Sequence, residues 1–294
     1  MTSNSKHLPI IAFVLLGVIW GSNFICMKLA SELISPAQIV LFRTIFGFFP
    51  VLIYALVKKS LCLDHLKHSA HFLVMALLAT SLNYYCFVKG TSLLLTGVAG
   101  ALSGSIPLFT FILAILFIPE EKPSLMKIVG IAIGFIGVVI IARPSGDSLL
   151  SSNFEGVFYM VAGSLSVGSS FVYARKFITP LNIPASAITT YQLGFAMILL
   201  SLTTSYDGMS AIWTSYNASI GLIVGLGLLG TGLAYIIYYY IASKMGAVTA
   251  SSVSYIPPLV ALVIGSAIVG EPIELVDYFA TALIFAGVYM LRRK

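Results

Sequence analysis

Side chains that could bind a small solute occur inside the apolar stretches of this sequence. Many are aromatic residues that also carry a hydrogen-bonding group, so a ring can stack on a ligand while its polar atom bonds to it. Tyrosines near the ends of membrane spans also form interfacial belts, and about half of the tyrosines are expected to belong there. The candidate binding residues are Trp20, Asn23, Tyr84, Tyr85, Lys89, Ser103, Ser105, Tyr173, Tyr235, Tyr239 and Tyr255.

Three basic residues lie within or beside apolar stretches and need individual explanations. Lys89 shares a helix face with Tyr85, four residues earlier, which favours contact with a bound solute over snorkelling to the surface. Lys28 is expected to snorkel or to pair with Glu32. Arg43 is expected to bond to neighbouring carbonyl groups, with solute contact as the alternative.

Carboxylates are missing from the middle of every apolar stretch. This argues against an acidic proton relay and against a paired-carboxylate catalytic site, so an enzyme is not expected. Basic and hydroxyl groups without carboxylates suit a ligand that carries a carboxylate or phosphate. Glu121 and Glu271, at the edges of two stretches, are expected to cap a helix or hold an interface.

Other sequence patterns have simpler explanations. Gly225-x-Gly227-x-x-Gly230 resembles a dinucleotide motif, but no strand precedes it and close helix packing is expected. His65, His68 and His71 are expected to lie in a solvated loop. No metal and no cofactor is therefore predicted.

Composition places the chain in a membrane. Apolar residues make up 59% of it and charged residues 9%, and the mean hydropathy is +1.03. The net charge of +6 comes from Lys and Arg scattered between apolar runs, which does not form a nucleic-acid surface. Three cysteines give no disulfide framework. The first apolar run is expected to be a retained span and not a cleaved signal.

The apolar runs predict an all-α integral membrane protein with ten transmembrane helices, because long lipid-exposed segments must satisfy their backbone groups internally. The predicted spans are residues 8–29, 36–57, 70–92, 96–118, 124–142, 154–176, 184–204, 217–242, 247–269 and 274–291. With the N-terminus inside, twelve Lys and Arg fall on the cytoplasmic side and four outside. Both termini are therefore predicted to be cytoplasmic.

The sequence contains an internal repeat. Residues 85–143 align without gaps on residues 235–293 with 12 identities in 59 positions, among them Tyr85 with Tyr235 and Glu121 with Glu271. Pro107 and Pro257 are also equivalent, and each is a candidate hinge because it removes a backbone hydrogen bond in mid-helix. Residues 8–142 and 154–292 are thus predicted to be two five-helix repeats, inserted in opposite orientations.

The sequence Trp20-Gly-Ser-Asn-Phe24 followed by Lys28, together with Gly232-x-x-Tyr235, resembles the drug/metabolite transporter superfamily. More narrowly, the chain is similar to its EamA-type ten-helix branch over residues 10–292. The resemblance implies a cytoplasmic (inner) membrane protein of prokaryotic type, with a cavity lined mainly by helices 1, 3, 4, 6, 8 and 9.

Inverted repeats suit alternating access, in which two similar bundles exchange roles around a central site. The predicted function is an exporter or exchanger of amino acids or related zwitterionic or anionic metabolites. Uptake of a nucleotide-like metabolite by exchange and drug efflux are the alternatives within transport; a receptor or assembly subunit is the alternative outside it. The expected partners are a small-molecule substrate and the lipid bilayer, without nucleic acid, for a monomer or homodimer.

Overall fold

The protein is built from helical segments joined by short connections. The computed structural model describes residues 4–121, 123–142, 152–245 and 252–292, and within these ranges every regular element is helical, as predicted. The segments are α1 (Asn4–Ser31), α2 (Pro36–Val57), α3 (Leu63–Leu93), α4 (Thr96–Phe117), α5 (Leu125–Ala142), α6 (152–181), α7 (Ala185–Thr203), α8 (Tyr216–Met245), α9 (252–269) and α10 (Leu275–Arg292).

Seven of the helices in the described ranges are long and apolar enough to cross a membrane, namely α1 to α4 and α6 to α8. The apolar stretches of α5, α9 and α10 are shorter. Large apolar side chains such as Ile11, Phe158 and Leu202 are exposed on the outside of the bundle. An apolar surface of this kind is typical of contact with lipid. The chain is therefore a multi-pass membrane protein.

Pro107 lies just after an interruption of an α-helix, and Pro257 lies in the first turn of an α-helix. In α4 the backbone N–H groups of Gly104 and Ser105 donate to the carbonyl groups three residues earlier. The α-helix then resumes over Ile106–Phe117. In α9 a 3₁₀ turn precedes the α-helix Ile256–Val263. In each case an α-helical segment begins one residue before the proline, Pro107 or Pro257, a position that suits proline because it has no N–H to donate to a preceding turn. A hinge role for the two residues stays a prediction.

Within the described residues, four helices contain π-helical turns, which an even 3.6-residue period does not predict. They lie at Leu77–Ser81 in α3, Ala174–Ile178 in α6, Gly221–Leu233 in α8 and Ile264–Val269 in α9. An extra residue in a turn rotates the following helix face by about 100°. The faces of α3 and α8 beyond these turns therefore differ from those of an ideal helix.

Glycines bring the helices into close contact. In the α5–α10 pair, a Cβ on Gly130 would lie 2.7 Å from the carbonyl oxygen of Gly287. The dinucleotide-like glycines of α8 also serve packing, with Gly227 against Phe46 of α2 and Gly230 against Asn23 of α1. Small residues at such crossings let helix backbones approach closely in a membrane. The packing role expected for these glycines is confirmed.

Candidate functional site

A cavity of about 240 Å³ lies between α1, α2, α3 and α4 on one side and α6, α8 and α9 on the other. Its walls are largely apolar and aromatic, as is usual for small-molecule sites. The lining residues are Trp20, Asn23, Phe24, Met27, Arg43, Ala79, Asn83, Tyr84, Phe87, Ser103, Ile106, Val167, Ser170, Phe171, Gly230, Tyr235, Tyr238, Val253, Ser254 and Pro257.

Arg43 is the charged residue of the described lining. It comes from α2 and is only 5% exposed. Its Nε donates a hydrogen bond to the hydroxyl of Thr231 in α8 at 3.0 Å, and the guanidinium carbon lies 3.7 Å from the ring centroid of Tyr84 in α3. Three helices therefore hold this cation in place. The expectation of bonds to neighbouring carbonyls is corrected, because Arg43 bonds a side chain and faces the cavity.

Two asparagines of the cavity lining have a buried amide oxygen without a partner among the described residues. Asn23 and Asn83 are 6% and 7% exposed, and the Oδ1 atom of each has no hydrogen-bond partner in the described part of the chain. The Nδ2 of Asn83 donates to the carbonyl of Ala79 at 3.4 Å. A buried acceptor without a partner is unfavourable unless a ligand or water satisfies it.

Five of the predicted binding residues meet at this cavity, and so does one of the predicted hinge prolines. Trp20, Asn23, Tyr84, Ser103 and Tyr235 come from α1, α3, α4 and α8. Pro257, in α9, lines the cavity as well. The helices that the resemblance implied all contribute to the lining. Helix α2 was not expected to contribute, yet it supplies Arg43.

Tyr85 and Lys89 share a face, as predicted, but that face does not belong to the described lining. Both approach the ring of Tyr159 in α6, at 6.4 Å for the Tyr85 ring and 6.0 Å for Lys89 Nζ. Lys89 Nζ also lies 3.6 Å from Glu155 Oε1, so it has a carboxylate partner. Tyr84, one residue earlier, takes the cavity position that the repeat suggested for Tyr85.

The other predicted residues are engaged elsewhere. Tyr173 bonds to His71 Nδ1 at 2.7 Å, and the Tyr239 hydroxyl bonds to that of Thr189. Ser105, like Ser103, donates to a carbonyl of its own helix. The described cavity lining does not include Tyr173, Tyr239, Ser105, Tyr255 or Pro107.

Charged side chains form hydrogen bonds or ion pairs at the ends of several helices. Glu271, after α9, accepts hydrogen bonds from the backbone N–H groups of Thr96 at 2.7 Å and Gly97 at 3.1 Å, at the start of α4. Glu121 forms an ion pair with Arg175 of α6 at 2.7 Å. Both glutamates therefore hold interfaces between helices. Lys28 does not pair with Glu32; it donates to backbone carbonyls at the end of α3, the nearest being that of Leu94 at 2.8 Å.

Removing the carboxylate of Glu271 is expected to destabilise the bundle. Glu271→Ala leaves two amides of α4 without acceptors and removes a negative charge from a helix N-terminus, costing about 1–3 kcal/mol. Thermal unfolding of the detergent-purified variant measures this cost. Glu120→Ala, at an exposed position, is the matched control. Equal stabilities of the two variants would contradict the capping role.

Comparison with known proteins identifies the chain's relatives. The model of the EamA-like transporter family matches residues 7–143 and 154–293. An uncharacterized transporter of Archaeoglobus fulgidus is 26% identical over 280 residues, which cover 94% of this chain and 95% of the relative. The uncharacterized inner membrane transporter YedA of Escherichia coli (strain K12) is 27% identical over 283 residues, covering 95% and 89%.

A solved structure supports the fold. It superposes with a TM-score of 0.63 and 18% sequence identity, covering 99% of this chain and 97% of the other. At this identity the similarity concerns the fold alone. Together with the match of the family model to almost the whole sequence, the bundle of apolar helices around a central cavity leads to one identification: the chain belongs to the EamA-like transporter family.

Proposed function

We propose that this protein is a secondary transporter that moves small organic metabolites by alternating access between two inverted five-helix repeats, residues 8–142 and 154–292. All ten helices cross the membrane in this proposal. It is supported by the two stretches that the family model matches and by the direct packing of α4 on α9 and of α5 on α10, the helices that the sequence repeat makes equivalent. The two prolines lie in these equivalent helices, each in the first turn of an α-helical segment.

The observation that carries the proposal is the cavity between the two halves. Helices α1 to α4 of the first half and α6, α8 and α9 of the second half line it together. A site at such an interface becomes accessible from either side when the halves rock against each other. The substrate is a carboxylate-bearing metabolite, an amino acid or a related zwitterion or anion, and the transport mode is export or exchange.

The proposed location is the cytoplasmic (inner) membrane, with both termini on the cytoplasmic side. The inner membrane relative YedA and the distribution of Lys and Arg support this placement. The protein functions in lipid as a monomer or homodimer, without a cofactor and without nucleic acid.

Counterflow in proteoliposomes tests the function directly. Purified protein is reconstituted and offered a panel of labelled amino acids, nucleotides and cationic drugs, with and without a pH gradient. We expect saturable uptake of amino acids that does not need the gradient. Uptake of nucleotides or drugs alone would replace the proposed substrate class, and no flux of any compound would contradict transport.

A further inference from the structure

Arg43 is a buried cation that has no carboxylate partner in the described part of the chain. The ion pairs found in the described part of the chain join Lys67 with Asp64, Lys89 with Glu155 and Arg175 with Glu121, and none includes Arg43. No acidic residue lines the cavity among the described residues. Burying an unpaired charge is costly, so a buried cation normally has an anionic partner. That partner is missing from the described chain.

The surroundings of Arg43 fix its orientation. Thr231 accepts from Nε, and the Tyr84 ring lies against one face of the guanidinium. A guanidinium has five N–H donors in one plane, and its fork matches the two oxygens of a carboxylate. In the described part of the chain no side chain or carbonyl accepts from the Nη groups. The fork is therefore positioned and still available to a ligand.

We propose that Arg43 is the counter-ion for a substrate carboxylate and the residue that makes the cavity select carboxylate-bearing molecules over amides and amines. This inference rests on the proposed function and assigns its specificity to a residue of α2. A cationic substrate is disfavoured in the same cavity, because it meets Arg43 and no acidic group of the described lining.

The two unpaired amide oxygens extend the inference to zwitterions. Oδ1 of Asn23 and Oδ1 of Asn83 are buried and have no hydrogen-bond partner in the described part of the chain, so a rotation of either amide toward the cavity would let it accept from an ammonium group of the substrate. The aromatic wall that includes Phe24, Phe87 and Phe171 suits an apolar or aromatic remainder. The cavity thus accepts a carboxylate with or without an α-amino group, but not an amine alone.

Four probes that share a phenyl ring and a two-carbon chain separate these possibilities. They are 3-phenylpropionate, phenylalanine, 3-phenylpropionamide and phenethylamine. Their binding to detergent-purified protein is measured by calorimetry for the wild type, Arg43→Gln, Arg43→Lys and Lys28→Gln. Lys28→Gln is the matched control. Lys28 is a cation of α1 that donates to backbone carbonyls at the end of α3, and it does not belong to the described cavity lining.

We expect the wild type to bind 3-phenylpropionate and phenylalanine at least about tenfold more tightly than the amide or the amine. Arg43→Gln should weaken carboxylate binding on the order of 100-fold and leave amide binding nearly unchanged. Arg43→Lys should retain part of the preference, because it keeps the charge without the planar fork. Lys28→Gln should preserve the wild-type ratio.

Three outcomes would overturn the inference. The first is a wild-type protein that binds neither 3-phenylpropionate nor phenylalanine. The second is an Arg43→Gln variant whose ratio of carboxylate affinity to amide affinity is unchanged. The third is an equal loss of affinity for all four probes in Arg43→Gln, which would mean a structural role. Failure of the inference is separable from failure of the proposed function. Counterflow of cationic drugs would leave transport standing while removing the role of Arg43, whereas absence of all counterflow would remove transport itself.

Discussion

Gly287→Leu is expected to prevent α10 from packing on α5 and to cost about 3 kcal/mol or more of folding free energy. A Cβ on Gly287 would lie 2.7 Å from the backbone nitrogen of Gly134 and still closer to the carbonyl oxygen of Gly130. These are backbone atoms, so no change of rotamer relieves the overlap. The two helices would have to separate along their crossing, and the contacts on both sides of it would be lost.

Thermal unfolding in detergent and the yield of monodisperse protein measure this loss. Ala286→Leu is the control on the same helix, because Ala286 is exposed on the outer surface and a leucine there meets lipid. We expect the control to behave like the wild type. A Gly287→Leu protein as stable as Ala286→Leu would show that the α5–α10 crossing does not limit stability.

The sequence was sufficient to predict where the helices lie. The predicted span 36–57 coincides with α2, and Pro107 and Pro257 each lie in the first turn of an α-helical segment. These features are local: apolar runs, capping residues and a missing N–H act within one or two turns of the chain. Ser35, for example, caps α2 in a reciprocal arrangement with Gln38.

Which side chains face the cavity was predicted less well. Tyr85 was favoured because the repeat makes it equivalent to Tyr235, and a sequence alignment does not show the helical phase that follows the π turn Leu77–Ser81. Tyr84 then lines the cavity, whereas Tyr85 and Lys89 pack against α6. A π turn depends on contacts with neighbouring helices, and an even helical period cannot reveal it.

The partners of Arg43 could not be predicted for a different reason. Its place about two turns inside α2 was plain from the sequence, and an intramembrane cation is a functional hypothesis by default. The resemblance did not include α2 among the main cavity-lining helices, and a structural role was therefore favoured for Arg43. Thr231, which accepts the hydrogen bond from Arg43, is 188 positions away in the sequence. Only the packing of α2 on α8 therefore brings the two residues together at the cavity.

Tyr84→Leu is expected to weaken binding of carboxylate probes by roughly tenfold to thirtyfold, because the ring that supports the Arg43 guanidinium would be lost. The guanidinium lies 3.7 Å from the ring centroid, and Tyr84 is only 6% exposed, so water does not screen the interaction well. Leucine fills part of the space but offers no π face. The guanidinium would then sample orientations in which its fork no longer meets the ligand.

Tyr84→Phe is the matched control for the ring. It keeps the aromatic face and removes only the hydroxyl, so affinity for 3-phenylpropionate should remain within about threefold of the wild type. Calorimetry on both variants gives the comparison, and binding of the neutral 3-phenylpropionamide reports any general collapse of the cavity. Equal losses in Tyr84→Phe and Tyr84→Leu would assign the effect to the hydroxyl group. Equal losses for the carboxylate and the amide would assign it to cavity shape, because support of a cation matters only to the ligand that binds that cation.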